Sequence, residues 1–352
     1  MRTRLARLVC VLFLISTFSP AQEMRENQPD RPIGKTVRDQ VIQDIVTDLD
    51  QSYIYPEVAS AMGKHLLSRK AAGAYDAITS SREFAKVLTD DLQSISHDKH
   101  LRVFYSYDPL PPMTGGPSAI DLQHMREEMA RTNFGFERVE VLPGNVGYLD
   151  LRGFVPLELG KDKAVASMRF LSDTDALIID LRKNGGGSPD MVAFLCSYFF
   201  GDRKVHLNDL YWRERNHTDE WWTTPDVPGP KYGNKPVYLL TSPFTFSAAE
   251  EFAYDLQNQK RVTIVGETTG GGAHPGGPAR LNEHFGLGIP RGRAINPITK
   301  TDWEGVGAKP EIAVDSASAL KTAQVAAVKQ ILSHTTDAHH REELKDVIAE
   351  IH

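Results

Sequence analysis

Three short apolar runs, each followed at once by a turn rich in glycine or serine, restrict this chain more than any other feature. They are Leu177–Asp180 (LIID), Val237–Thr241 (VYLLT) and Val262–Val265 (VTIV). Each is too short for a helix and shows no alternation, which predicts strands buried on both faces. Helical patterns over 189–200 and 246–257 follow the first two. Strands alternating with helices imply an α/β core with crossover connections. Ahead of them, Glu137–Leu142 and Val146–Leu151 flank Pro143-Gly144-Asn145, a hairpin signal.

Residues 36–97 read as a helical unit. Val37, Val41, Ile42, Ile45 and Leu49 recur at helical spacing behind Thr36 as N-cap, and Pro56 opens a second helix that Gly73 ends. Ser80-Ser81-Arg82-Glu83 is a capping-box pattern before Phe84, Leu88, Leu92 and Ile95, and Leu101–Tyr105 is a strand candidate. The stretch YDPLPPMTGGPS over 107–118 reads as a linker, with a helix near 120–131 after it. Residues 201–236, with Tyr211, Trp212, Trp221 and Trp222 but few aliphatics, read as a surface hairpin or substrate flap.

The amino terminus reads as an export signal. Arg2, Arg4 and Arg7 precede an apolar run, Leu8–Ile15, and Ser19-Pro20-Ala21 offers a cleavage site after Ala21. The alternative is an anchor helix, but the run is short for the roughly 30 Å of a hydrocarbon core. Cleavage removes Cys10 and takes the net charge from −6 to −9. Cys196, in VAFLCSYFF, is then the only cysteine and reads as a small buried hydrophobe. These features predict a secreted or periplasmic protein with no stable membrane insertion. A chain without a basic excess has little to neutralise phosphates with, which argues against nucleic-acid partners. No HExxH or cysteine cluster is present, and His339-His340 falls in a polar terminal helix, so no metal is expected.

The chemistry concentrates in the turns after the three strands. Asp180-Leu181-Arg182-Lys183-Asn184-Gly185-Gly186-Gly187 exposes backbone N–H groups at a carboxyl end of the sheet, where α/β ligands bind. It matches no phosphate-loop pattern, and a purely structural glycine turn reads equally from this segment. In TSPFTFSAAEEFAYDL, Ser247 sits at a helix start, as an N-cap or as a nucleophile beside an oxyanion site. It lacks the flanking glycines of the GxSxG elbow. Glu250 and Glu251 read as first-turn acids that favour the helix dipole. The third turn, Gly266-Glu267-Thr268-Thr269-Gly270-Gly271-Gly272-Ala273-His274-Pro275, is by itself only a glycine loop.

Taken in order, the three segments resemble the C-terminal processing (tail-specific) serine peptidase family, whose core runs D-L-R-x-N-x-G-G, S-x-S-E and G-E-x-T-x-G; the matching stretches here are Asp180–Gly187, Ser247–Glu250 and Gly266–Gly271. The resemblance implies an α/β fold with a crotonase-like core of ββα units. In the bacterial tail-specific members a lysine serves as base. The matching position here is Gly272, and no lysine lies between Lys260 and Lys300. No PDZ insertion is expected. Tyr53-Ile54-Tyr55-Pro56, Ala72-Gly73-Ala74-Tyr75-Asp76 and Asp98-Lys99-His100-Leu101-Arg102-Val103 resemble the helical leader domain of a closer branch, that of tricorn cores and interphotoreceptor retinoid-binding protein. The organisation implied is signal 1–21, N-terminal helical domain 22–106, linker with helix 107–134, peptidase core 135–335 and helical tail 336–352.

In that branch the serine is served by a histidine from the leader side and a glutamate late in the core. The matching residues are Ser247, His100 and Glu304, with His274 as an alternative base after the glycine loop. A serine hydroxyl needs a base, neutral imidazole accepts its proton, and a carboxylate orients the ring. Amides near Gly186 and Ala248 are the expected oxyanion donors. The resemblance implies cleavage of a peptide or protein substrate through an acyl-enzyme, without a cofactor. It equally allows a non-catalytic module that binds a hydrophobic ligand or peptide, because a fold does not decide function.

Overall fold

In a computed structural model the described residues are 28–112 and 119–351. The expected export signal and part of the expected linker lie outside them. Along the chain, the first three helices are α1 (Lys35–Ser52), α2 (Pro56–Ala71) and α3 (Ser81–Ser96). Strand β1 (Arg102–Tyr105), α4 (Ala119–Arg131), the hairpin β2 (Phe136–Leu142) and β3 (Val146–Leu151), and α5 (Leu157–Phe170) follow. Next come β4 (Ala176–Asp180), α6 (Pro189–Cys196), a second hairpin of β5 (His206–Trp212) and β6 (His217–Trp222), β7 (Val237–Thr241) and α7 (Ala248–Asn258). The chain ends with β8 (Thr263–Gly266), β9 (Gly276–Arg280), β10 (Phe285–Pro290), β11 (Gly292–Ile295), β12 (Ile312–Ala313), α8 (Ala319–His334) and α9 (Ala338–Ile351).

The chain forms two compact units that are not two continuous stretches. Of the described residues, one comprises 28–112 with 210–219 and 272–295; the other holds 119–209, 220–271 and 296–351.

In the first unit, α1 buries Val41, Ile42, Ile45 and Leu49, whereas Val37 on the expected apolar stripe is exposed. Its N-cap is Gly34, not Thr36, because extended backbone runs to Gly34 and the helix starts at Lys35. The Ser80 hydroxyl accepts the Glu83 N–H at 3.0 Å as the capping box requires, a cap of about 1 kcal/mol. At the other end of α3, His97 adopts a left-handed conformation (φ 55°) and returns its N–H to the Gln93 carbonyl at 2.9 Å. That stop turns the chain sharply into Asp98-Lys99-His100. The apolar faces of these helices close against a three-stranded antiparallel sheet of order β1-β10-β9, whose Phe285, Leu287 and Ile289 complete the cluster. Val103 pairs with Leu287 across 184 positions of sequence.

The second unit is built on a six-stranded sheet of order β12-β8-β7-β4-β3-β2. All neighbours are parallel except the β2–β3 hairpin. Every residue of β4 and β7 is buried, as their unbroken apolar sequences require. Alternation sends Leu177, Ile179, Val237 and Leu239 to the face covered by α5, α6 and α7. Ala176, Ile178, Tyr238 and Leu240 go to the face covered by α8 and α9. Residues 206–222 form the expected hairpin. The fold is thus mixed α/β with an N-terminal helical region, and no PDZ domain is evident among the described residues. No helix there is long and apolar enough to cross a membrane.

Candidate active site

Strands β4, β7 and β8 are neighbours and parallel, so the turns that follow them leave the sheet at the same edge. The three sequence motifs therefore converge at the carboxyl ends of adjacent strands.

The first turn is anchored by its polar residues. Arg182 closes on Asp180 in a two-pronged pair, Nε to Oδ1 at 2.9 Å and Nη2 to Oδ2 at 2.6 Å, with the Tyr148 hydroxyl at 2.8 Å. Burial alone would raise the Asp180 carboxyl, but the Arg182 guanidinium holds it below the ordinary carboxylate value. This is the structural ion pair expected of such neighbours. Asn184 is fully buried and ties three segments together. Its amide donates to the Leu151 carbonyl at 2.9 Å, its Oδ1 accepts the Gly186 N–H at 2.9 Å, and its carbonyl accepts the Phe246 N–H at 3.1 Å.

The second turn carries Ser247. It is the N-cap residue of α7, yet its backbone is at φ 55°, ψ −122°, far from the extended conformation usual for a cap. A non-glycine residue with positive φ costs of order 1–3 kcal/mol and is held there by its surroundings. A strand-to-helix elbow is thus present without its glycine-flanked sequence. Room for it comes from Gly186 (φ 107°), where a Cβ would stand 2.8 Å from both Phe246 O and Ser247 Cβ and 3.0 Å from Ala248 N.

The third turn locks the elbow through Glu250. Its side chain is fully buried, not a solvated first-turn acid as its position suggests. Oε2 accepts the Ser247 N–H at 2.9 Å, and Oε1 accepts the Gly271 N–H at 2.6 Å and the Thr269 hydroxyl at 2.5 Å. The Thr269 hydroxyl in turn accepts the Ala308 N–H at 2.7 Å. Glu304, half-buried, lies in the adjoining turn, whose Gly305 N–H donates to the Gly271 carbonyl at 3.1 Å. The second unit thus brings Ser247, Ala248 and Gly186 together and attaches the Glu304 turn to the loop that Glu250 grips. The amide of Gly186, an expected oxyanion donor, is given to Asn184. Those of Gly187 and Ala248 have no acceptor among the described residues.

Glu251, also expected at the surface, is buried one helical turn from Asp255. Burial raises both carboxyls, Glu251 to about 7. The Asn208 amide donates to Glu251 at 3.2 Å and the Asn296 amide to Asp255 at 3.0 Å. Cys196, buried as predicted, faces the same pair.

The candidate histidines lie in the first unit. His100 is buried, and desolvation pushes its imidazole down to about 4, opposed by the nearby Asp98 charge. The ring is therefore neutral at ordinary pH. Asp98, 1% exposed, accepts the His100 N–H on Oδ1 at 3.0 Å. Its Oδ2 accepts the Tyr53 hydroxyl at 3.2 Å and lies 2.8 Å from His274 Nδ1. His274 Nε2 faces the Tyr55 hydroxyl at 3.4 Å. Asp98 escaped the sequence reading, although an acid two residues from a candidate histidine is a usable signal. Glu250 escaped it because its place in the first helical turn, where an acid favours the dipole, already explained it. His97 is exposed, and His339 and His340 both pair with Glu343 on the last helix.

Residues 145–314 match the model of peptidase family S41, and residues 35–143 match the N-terminal domain of that family in eukaryotic IRBP. A tail-specific protease of Haemophilus influenzae is 34% identical over 135 residues, 38% of this chain but only 16% of that protein's length. The structure of mature CPAF superposes with a TM-score of 0.54 at 13% identity, covering 90% of this chain and 97% of the other. A lipoprotein from Streptococcus agalactiae gives 0.53 at 14% identity, covering 83% and 96%. These two likenesses show the shared fold. Motifs, leader domain and fold agree that this chain belongs to peptidase family S41.

Proposed function

We propose that this protein is exported and hydrolyses peptide bonds in protein or peptide substrates through a covalent acyl-enzyme, with Ser247 as nucleophile. The observation that carries the reading is the strained Ser247 backbone at the start of α7, held by the buried Glu250. A serine that served only as a cap has no need of that conformation.

His100 acts as the base and Glu304 orients it. A neutral, buried imidazole is in the state that accepts a proton, and burial favours that state here. His274 is the weaker candidate because both of its ring nitrogens are engaged, by Asp98 and by Tyr55. The serine oxygen attacks the carbonyl carbon while its proton passes to His100. The imidazolium then protonates the departing amine, and water hydrolyses the ester by the same route in reverse. The Ala248 amide, first in α7, donates to the oxyanion together with the glycine turn. With Gly186 N–H committed to Asn184, the donor from that turn is assigned to Gly187.

Fluorophosphonate labelling with peptide mapping tests this. Label is expected on Ser247, absent in Ser247→Ala and slowed by at least ~100-fold in His100→Ala, the usual weight of a general base. No label on the folded protein, or label elsewhere, overturns the reading and favours a binding module.

A further inference from the structure

Asp98 and His274 lie in the same unit as His100 but have no part in the reaction as proposed. A buried carboxylate is costly unless paired and hydrogen-bonded. Asp98 meets that need through three donors: the His100 N–H, the Tyr53 hydroxyl and His274 Nδ1–H. Two further bonds close the turn around it. The Asp98 N–H donates to the Ser96 hydroxyl at 3.2 Å, and the Leu101 N–H to the Asp98 carbonyl at 3.2 Å. These partners set the tautomer of His274. Nδ1 carries the proton given to Asp98, and Nε2 accepts from Tyr55, whose ring stands edge-on at 5.3 Å.

We propose that Asp98 and His274 are positioning residues that form a buried clamp on the His100 turn, with Tyr53 and Tyr55 holding the clamp in register. The inference rests on His100 being the base. The side-chain bonds fix where the His100 main chain sits, and strand β1, beginning at Arg102, fixes the chain on its carboxyl side. Without His274, Asp98 loses a short bond and is left as an underpaired buried charge. Without the Asp98 charge, the turn keeps one of its two acceptor oxygens and His100 loses the carboxylate that opposes its desolvation. The charged or titratable groups of this unit acting on His100 are Asp98, His274 and Arg102, beside Glu304, the orienting residue of the proposed reaction.

The test compares His274→Asn, His274→Ala and Asp98→Asn with wild type. The two readouts are the pH dependence of fluorophosphonate labelling and the hydrogen exchange of the His100 amide. Asn at 274 keeps a donor near the Nδ1 position but cannot act as a base. It should retain at least about a third of the labelling rate, with an unchanged pH profile and a protected His100 amide. His274→Ala should label at least tenfold more slowly, with faster exchange at His100. Asp98→Asn should slow labelling and move the acid limb of the profile to lower pH, a shift that a purely structural role does not produce. Loss in His274→Asn equal to that in His100→Ala would make His274 the base and overturn the clamp. Wild-type behaviour of His274→Ala would overturn it too. Exchange at His100 reports on the clamp even if wild type takes no label, so failure of the clamp and failure of the peptidase reading are distinguishable.

Discussion

Replacement of Glu250 by glutamine changes one atom and should dismantle the nucleophile elbow. The carboxylate accepts three hydrogen bonds in a fully buried position, two on Oε1 and one on Oε2. Glutamine has one oxygen. If that oxygen keeps the Thr269 and Gly271 bonds, the amide NH2 faces the Ser247 N–H, donor against donor. Losing one bond to a charged group is worth about 1.5–3 kcal/mol, and the stranded donor adds to it. The other two bonds weaken as the acceptor becomes neutral. A total of about 3 kcal/mol is comparable to the ~1–3 kcal/mol of strain at a positive-φ serine. The elbow then has no reason to persist. Calorimetry should show a melting temperature lower by about 5–10 °C. Labelling of Ser247 should slow about 100-fold as the reactive conformation is depopulated. A Glu250→Gln protein that melts within a degree of wild type and labels within threefold of it would refute the idea that Glu250 holds Ser247 in place.

Two further outcomes are expected from buried groups around the same helix. Glu251 and Asp255 have carboxyls raised above their ordinary values by burial, Glu251 to about 7, so the folded state binds protons more tightly than the unfolded chain. Stability from that source is complete below the ordinary carboxylate range and is lost as pH rises through about 7. Asp255 Oδ2 has no hydrogen-bond partner among the described residues, so little there offsets the cost of a buried charge. The melting temperature should fall between pH 5 and pH 8, and Asp255→Asn should flatten that fall; an unchanged slope would be the contrary result. Gly186→Ala places a methyl group 2.8 Å from Phe246 O and Ser247 Cβ at φ 107°. It should lower the melting temperature and abolish labelling, whereas near-normal labelling would remove Gly186 from the elbow.

Much of the fold is legible in the sequence because its core strands have no alternative. An unbroken apolar run such as 176–180 or 237–241 is stable only when both faces are covered, which requires a parallel sheet between helix layers. The glycine and serine turns after those runs then mark the carboxyl edge without any knowledge of distance. The strands of 276–295 are not legible this way. Gly276-Gly277-Pro278 and Phe285-Gly286-Leu287-Gly288 carry residues that ordinarily argue against a strand. They form one because β10 pairs with β1, far back in the sequence. The same long-range pairing assigns 272–295 to the unit of the helices, across any linear boundary.

The sequence by itself determined the sheet, its order of turns and the serine at a helix start, because these depend on local patterns of apolar and turn residues. Only the tertiary structure decided which charges are buried. Glu250, Glu251 and Asp98 look like surface acids in sequence, since a carboxylate in water and one under a folded loop are the same letter. What separates them is the set of donors that distant segments deliver: Gly271 and Thr269 to Glu250, Asn208 to Glu251, Tyr53 and His274 to Asp98. Burial of a charge is tolerable only where such donors arrive, and their arrival is a property of the folded chain.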